Sequence, residues 1–332
     1  MRIGLRVPPC LPVPQLAGFA ARAEQAGIDE VWFPDSQLLW RDVFPVATAA
    51  LAATSRITVG TAVTNVATRH PSVVASAART VAEVAPGRFV LGVGVGNSSV
   101  LPIGLPPSTG AALRAGVQEI RDLLDGKDVE FAGTVARLRD PVPVPIHVAA
   151  SGPRNLRLAG EIADGVILLS GVAPAPLAAA TARVREGAAG REVPMTVSAY
   201  CRVTDDVERD ARELKPICAA IAQNGGAQAL ALAGVEIGDM PRRLPGVYPD
   251  LVHAEDWAAA VAACDPYVSD AAVATFARTF CLFGTAAEIV ARIGDAAAAG
   301  ADAVFLQHVG SYDLPRELLD RVSGEVLPLL RA

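Results

Sequence analysis

Small and polar residues follow the β-branched run Ile57–Val59, in the stretch from Gly60 to Asn65. The run itself indicates a strand buried on both faces. Pro71 then opens a helix, where its missing N–H costs nothing. A purely structural strand-to-helix connection rarely needs so many compact hydrogen-bonding groups. The stretch therefore predicts either an ordinary loop or the floor of a site for a flat ligand, with Thr64 and Asn65 as polar contacts.

Two further segments at predicted strand ends are suited to holding a ligand. Ala150-Ser151-Gly152-Pro153 lies where a buried strand passes into a helix, and free N–H groups at a helix start attract an anion or phosphate. The alternative is a simple helix cap. Asp35 ends another buried strand and is either a polar anchor for a ligand or the cap of the next segment.

Glycines at 92, 94 and 96 suggest a dinucleotide-binding turn, but the spacing excludes it. The G-x-G-x-x-G fingerprint starting at Gly92 needs glycine at position 97, where the chain has Asn97. Backbone hydrogen bonds from Gly96 and Asn97 to a ligand remain compatible with the sequence.

The same strand ends lack the groups that most hydrolases use. No Ser/His/Asp order and no carboxylate pair stands out, so the sequence names no catalytic residue. The five cysteines are scattered without a CxxC pair or a Cys/His metal spacing, which predicts free thiols in a reducing compartment and no metal site. A small, polar, glycine-rich set of this kind indicates a site that holds a cofactor, which performs the reaction itself.

Eight strand–helix units position these residues. Four begin near residues 2, 30, 57 and 88, at the spacing of about 30 residues expected of a βα unit. Four more strands are predicted at 146–150, 165–169, 195–200 and 303–307. The count predicts an α/β fold, a (β/α)8 TIM barrel in which chemistry lies at the carboxyl ends of the strands.

The competing layout is an open doubly wound sheet with a second domain, which fits strands buried on both faces equally well. Eight units without a charged linker favour a single barrel domain over residues 1–332. A helical insertion is predicted at about 205–280, after strand seven.

Composition excludes several partners. The net charge of −6 comes from 29 basic and 35 acidic residues interleaved along the chain, whereas a nucleic-acid or anionic-membrane surface needs a basic patch. No apolar run reaches the ~18 residues of a membrane helix, and the N-terminus enters a strand rather than a targeting segment. We therefore expect a cytoplasmic protein that binds neither nucleic acid nor membrane.

Two blocks of sequence resemble the luciferase-like (bacterial luciferase) superfamily. The first is TNVATRHPSVVASAARTVAEVAPGRFVLGVGVGNSSVLPIGLPPS, residues 64–108, and the second is GPRNLRLAGEIADGVILL, residues 152–169. Within that superfamily the chain is most similar to the branch that uses coenzyme F420, whose namesake is methylenetetrahydromethanopterin reductase.

The resemblance implies a barrel, usually a homodimer, that binds a flavin or deazaflavin in its rim cavity. It further implies a cis peptide between Ala62 and Val63 behind the ring. Residues of this chain that fall on or beside the family's ligand-contacting positions are Asp35, Asn65, Gly96, Asn97, Ala150, Ser151, Gly152 and Pro153. Two departures argue against the pterin reductase reaction: Arg6 stands where that reductase has a glutamate, and Ser36 where it tends to have a histidine.

The resulting hypothesis is a coenzyme F420-dependent oxidoreductase. It transfers a hydride between reduced deazaflavin and a C=C or C=N bond of a small-molecule substrate. An FMN-dependent monooxygenase of the same superfamily is the nearest alternative. A cofactor-free barrel that acts as a binding or structural protein is the second.

Overall fold

The computed structural model describes all residues from 1 to 332. It contains twelve strands: β1 (Arg2–Arg6), β2 (Glu30–Phe33), β3 (Thr58–Thr61), β4 (Thr64–Asn65), β5 (Phe89–Gly94), β6 (Val129–Phe131), β7 (Thr134–Ala136), β8 (Ile146–Ala150), β9 (Gly165–Leu168), β10 (Met195–Val203), β11 (Leu282–Gly284) and β12 (Ala303–Gln307). Eight of them form a closed parallel barrel in the order β1-β2-β3-β5-β8-β9-β10-β12. The barrel closes because β12 pairs with both β10 and β1, which confirms the predicted (β/α)8 architecture.

Fourteen α-helices accompany the strands: α1 (Val13–Gln25), α2 (Val43–Ala52), α3 (Pro71–Val84), α4 (Gly110–Leu124), α5 (Pro153–Ile162), α6 (Pro174–Ala188), α7 (Val207–Asp210), α8 (Lys215–Ile221), α9 (Ala227–Leu232), α10 (Trp257–Cys264), α11 (Asp270–Phe280), α12 (Ala286–Ala298), α13 (Arg316–Arg321) and α14 (Leu327–Arg331). Local sequence fixes several starts. Thr285 and Glu288 form a reciprocal capping box at α12, which satisfies two of the helix's free N–H groups.

The main hydrophobic core lies between the barrel strands and the surrounding helices and contains 65 buried residues. Inside the barrel a smaller cluster, which we call the plug, consists of Trp32, Ile167 and Phe305. Gly60 makes room for it, because a Cβ at this position would lie 2.3 Å from the Trp32 ring. The plug closes the lower part of the barrel, so any cavity must lie above it.

The segment between β10 and β11 contains helices α7 to α11 and has a core of its own with 20 buried residues. Strand β11 was missed by the sequence analysis. It is only three residues long and pairs with the end of β10, from Cys201 to Val203, beyond the predicted end of that strand at Tyr200. Such a short apolar run has no period to detect. The division into one domain with an insertion at 205–280 stays a prediction.

Candidate active site

The burial pattern at the carboxyl ends of the strands indicates a cavity above the plug. Its lining is marked by half-buried side chains on strands whose other residues are almost all fully buried. One side of this lining carries small groups, which we call the floor: Ala62, Val63, Gly94 and Ala149. The peptide between Ala62 and Val63 is cis, as the resemblance implied. At Gly94 a Cβ would lie 2.7 Å from Val63 Cγ2, so this part of the floor admits only glycine without a shift.

Thr61 and Gly92 join the two strands beneath the floor. The Thr61 hydroxyl donates to the Gly92 carbonyl at 2.7 Å and accepts from the Gly92 N–H at 2.8 Å. Both residues are buried. A Cβ at Gly92 would lie 1.9 Å from the Thr61 carbonyl oxygen, so the close approach of the strands depends on this glycine.

Asp35 lies buried at the rim beside the floor, where both of its oxygens have protein partners. It accepts a hydrogen bond from the Thr64 hydroxyl at 2.7 Å and pairs with Arg69 at 3.3 Å. Arg69 also pairs with Asp42 at 2.9 Å. The sequence left open whether Asp35 caps the next helix; it does not, because Asp42 caps α2 by accepting from the Phe44 N–H.

Asn65 is 1 % exposed and holds the loop after β4. Its side-chain oxygen accepts from the N–H groups of Ala67 at 3.0 Å and Thr68 at 2.8 Å, and its NH2 group donates to the Ser99 hydroxyl at 3.0 Å. These bonds fix the loop that frames the floor. A direct ligand contact from Asn65 stays a prediction.

The predicted backbone contacts lie on neighbouring strands at the same rim. Gly96 has φ +78° and lies close to the Asn65 side chain, and Asn97 is exposed. Ala150 is buried at the end of β8, the neighbour of β5, while residues 151–153 are exposed.

Helix α5 begins at Pro153 without a side-chain cap, and its N-cap residue is Gly152 with φ 72°. Of the Ser/Gly cap that the sequence offered as the alternative, the structure has the glycine, and no serine side chain caps the helix. The uncapped helix start suits an anion.

The opposite side of the cavity carries polar groups that the sequence analysis did not assign to the site. We call this side the polar wall: Arg6, Tyr200 and Gln307, with Trp40 against Arg6. The Arg6 guanidinium lies 5.4 Å from the centre of the Trp40 ring, and Gln307 donates to the Ser198 hydroxyl. The three strand residues Arg6, Tyr200 and Gln307 point to the same face of the barrel sheet. This common orientation can be worked out only when the register between the strands is known.

Burial shapes the ionisation of this wall. It lowers the pKa of Arg6, an effect that the neighbouring Tyr200 partly offsets. It also raises the pKa of Tyr200 to about 12, against the opposing effect of Arg6. At neutral pH the wall therefore presents a guanidinium cation and a neutral phenol, both of which are hydrogen-bond donors.

Val252 and His253, in the segment between β10 and β11, lie beside Trp40 and Ser311 at the rim. The His253 ring packs edge-on against Trp40 with centroids 5.3 Å apart, and the Trp40 ring N–H donates to the Ser311 carbonyl at 2.7 Å. The Ser311 hydroxyl in turn donates to the carbonyl of Val252. His253 is only 8 % exposed, because this segment folds back over the rim.

A surface groove lies elsewhere, and the arginines that line it already have protein partners. It has a volume of about 690 Å³ between α4 and α5. Arg114 pairs with Glu161, Arg121 pairs with Asp164, and Arg191 donates to the carbonyl of Gly160. The barrel cavity is therefore the stronger candidate for chemistry.

Two classes of feature are missing from the chain. No three His, Cys, Asp or Glu side chains are grouped so that they could hold a metal ion. No helix has the length and apolar character needed to cross a membrane.

Residues 2–303 match the model of the luciferase-like monooxygenase family. The chain is 41 % identical over 176 residues to the F420-dependent glucose-6-phosphate dehydrogenase of Beutenbergia cavernae, covering 47 % of this chain and 52 % of that protein. It is 32 % identical over 226 residues to the 5,10-methylenetetrahydromethanopterin reductase of Methanolobus tindarius, covering 65 % of this chain and 68 % of that protein. The match thus spans about half the length of the dehydrogenase.

Among solved structures, the coenzyme F420-dependent tetrahydromethanopterin reductase from Methanopyrus kandleri superposes with a TM-score of 0.78 at 22 % identity, over 99 % of both chains. At that identity the likeness speaks for the fold alone. The family match covers most of the chain and confirms the resemblance drawn from residues 64–108 and 152–169. The chain belongs to the luciferase-like monooxygenase family.

Proposed function

We propose that this protein is a coenzyme F420-dependent oxidoreductase that acts on a small molecule, transferring a hydride between the reduced deazaflavin and a C=C or C=N bond. The observation that carries the proposal is the two-sided cavity, whose floor of small groups faces a wall of hydrogen-bond donors. The match to F420-dependent glucose-6-phosphate dehydrogenases supports the choice of cofactor.

The residues present fit a flat ring on the floor. Ala62 and Val63 are half-buried, and Gly94 adds no side chain above them. The surface is therefore apolar, and no large side chain protrudes from it. Residues 151–153 form an uncapped helix start, whose free N–H groups would bind the acidic tail of the cofactor. Half-buried Gly96 and exposed Asn97 follow β5 at the same rim.

When bound, reduced F420 supplies the hydride. The residues of the chain orient the reactants and exclude water, as proteins that hold a cofactor generally do. Asp35 and Asn65 serve this purpose through the loop that they fix, since their polar atoms are bonded to Thr64, Thr68 and Ser99. On the other side, the neutral Tyr200 phenol and the Arg6 cation face the substrate.

A fluorescence titration of the purified protein with F420 and FMN side by side tests the proposal. We expect saturable binding of F420 and a much weaker response to FMN. A yellow protein that retains FMN and consumes oxygen would contradict the deazaflavin assignment. Absence of affinity for both compounds would favour a binding or structural role.

Assembly and location are part of the same proposal. A homodimer, which the family resemblance implies, predicts twice the monomer mass of 34.2 kDa in sedimentation. A cytoplasmic location stays a prediction from the sequence, and cell fractionation tests it.

A further inference from the structure

Arg6 is the last residue of β1 and reaches the cavity from the polar wall. Strand pairing places Leu5 opposite Leu306, and Tyr200 opposite Gln307. Arg6, Gln307 and Tyr200 therefore follow one another on three adjacent strands at one level. Neighbouring residues in register on parallel strands point to the same face, so these three side chains share the cavity.

Arg6 differs from every other arginine that is not exposed, because it has neither a hydrogen bond nor an ion pair within the protein. Half-buried arginines elsewhere all have such partners: Arg69, Arg79, Arg88, Arg121, Arg202 and Arg292. Its only close partner is the Trp40 ring. A half-buried charge loses part of its hydration, which is costly without a counter-ion, so an anion from outside the chain would stabilise this guanidinium.

The Tyr200 hydroxyl strengthens this arrangement. It also makes no hydrogen bond within the protein, and its raised pKa keeps the proton in place. The planar guanidinium fork binds carboxylate or phosphate oxygens in pairs, and the phenol adds one more donor. Arg6 and Tyr200 together thus present the donor set that an acidic group needs.

Building on the proposed function, we propose that Arg6 receives an anionic group of the substrate, so that the substrate is a small carboxylate or phosphate ester. Arg6 lies on β1, two strands from Ala62 at the end of β3. Adjacent strands are about 4.8 Å apart, so this anion site lies roughly 10 Å along the wall from the floor. The uncapped start of α5 follows β8, on the side of the cavity away from Arg6. The acidic tail of the cofactor would bind there, so it would not compete for Arg6.

Matched probes of equal shape test the charge requirement. Sodium benzoate and neutral benzamide are titrated into the F420-loaded protein, with tryptophan fluorescence as the readout because Arg6 contacts Trp40. We expect the native protein to bind benzoate about tenfold more tightly than benzamide. Inorganic phosphate should compete with benzoate. A native protein that does not discriminate between the two probes would overturn the proposal.

Three variants assign the effect to Arg6. Arg6→Met should bring the ratio of the two affinities to about one, and Arg6→Lys should keep part of it because the charge remains. Arg183→Met, on the exposed face of α6, makes the same change in net charge and should leave the ratio as in the native protein. A ratio that survives in Arg6→Met, with thermal unfolding unchanged, would refute the assignment.

The dissociation constant for F420, measured on the same variants, separates this inference from the proposed function. It should change less than threefold in Arg6→Met. A tenfold loss of F420 affinity would assign Arg6 to the cofactor's acidic groups and overturn the substrate assignment. If the native protein binds no F420, the proposed function fails, and the benzoate-to-benzamide ratio measured on the unloaded protein still reports on Arg6.

Discussion

Replacement of Gly92 by alanine tests how the floor is held in place. The new Cβ would lie 1.9 Å from the Thr61 carbonyl oxygen. Ordinary van der Waals contact begins at 3.4 Å, so β3 and β5 must separate by about 1.5 Å (3.4 minus 1.9) at this level. The two hydrogen bonds between Thr61 and Gly92, now 2.7 and 2.8 Å long, would then exceed hydrogen-bonding distance.

The expected cost follows from these two effects. Overpacking of a buried site costs about 1–3 kcal/mol, and each buried hydrogen bond contributes about 1 kcal/mol. We therefore expect Gly92→Ala to lower the free energy of unfolding by about 3–5 kcal/mol, a large share of the roughly 5–15 kcal/mol typical of a folded domain. The affinity for F420 should fall about tenfold or more, because Val63 shifts with the strand.

Equilibrium urea unfolding, followed by circular dichroism, measures the first effect, and F420 titration measures the second. Gly18→Ala is the matched control, since Gly18 lies exposed in α1 and a Cβ there meets nothing within 4 Å. This control should gain about 0.5–1 kcal/mol from the higher helix propensity of alanine. Gly92→Ala with native stability and native F420 affinity would refute the reasoning about the floor.

Three further predictions concern single side chains. Burial raises the pKa of Glu24, but hydrogen bonds from residues 55–57 outweigh it and lower the pKa to about 2 from 4.5. Glu24→Gln should therefore lower the free energy of unfolding at pH 7 by about 2 kcal/mol, after allowance for partial exposure. In urea titrations that difference should shrink below pH 4.5 and vanish near pH 2, because protonation abolishes the stabilisation. Asn65→Ala should lower the free energy of unfolding by about 2–3 kcal/mol, because the groups that bond to Asn65 lose their partner. Asn97 is exposed, so Asn97→Ala should leave stability unchanged and weaken F420 binding in titration. Tyr200→Phe should weaken benzoate binding about fivefold without lowering the melting temperature; an unchanged affinity would remove Tyr200 from the anion site.

Local sequence determined the elements of this fold. The observed bounds of β8 and β12 equal the predicted ranges 146–150 and 303–307, because buried parallel strands leave continuous apolar runs between helices. The order of strand and helix then requires parallel pairing, and parallel pairing collects the polar strand ends at one rim. For this reason the sequence alone located the cavity and the glycine-rich side of it.

The tertiary structure decided which of the polar residues are available to a ligand. Asp35 and Asn65 looked like ligand contacts, yet their partners Thr64, Arg69 and Ser99 lie 29 to 34 residues away and come into reach only in the folded chain. Arg6 looked like a departure from the family pattern. Barrel closure brings β1 beside β12, and the register then places Arg6 next to Tyr200 and Gln307, where it makes no ion pair. Whether a charge has a partner depends on neighbours across the sheet, and local sequence patterns do not contain those neighbours.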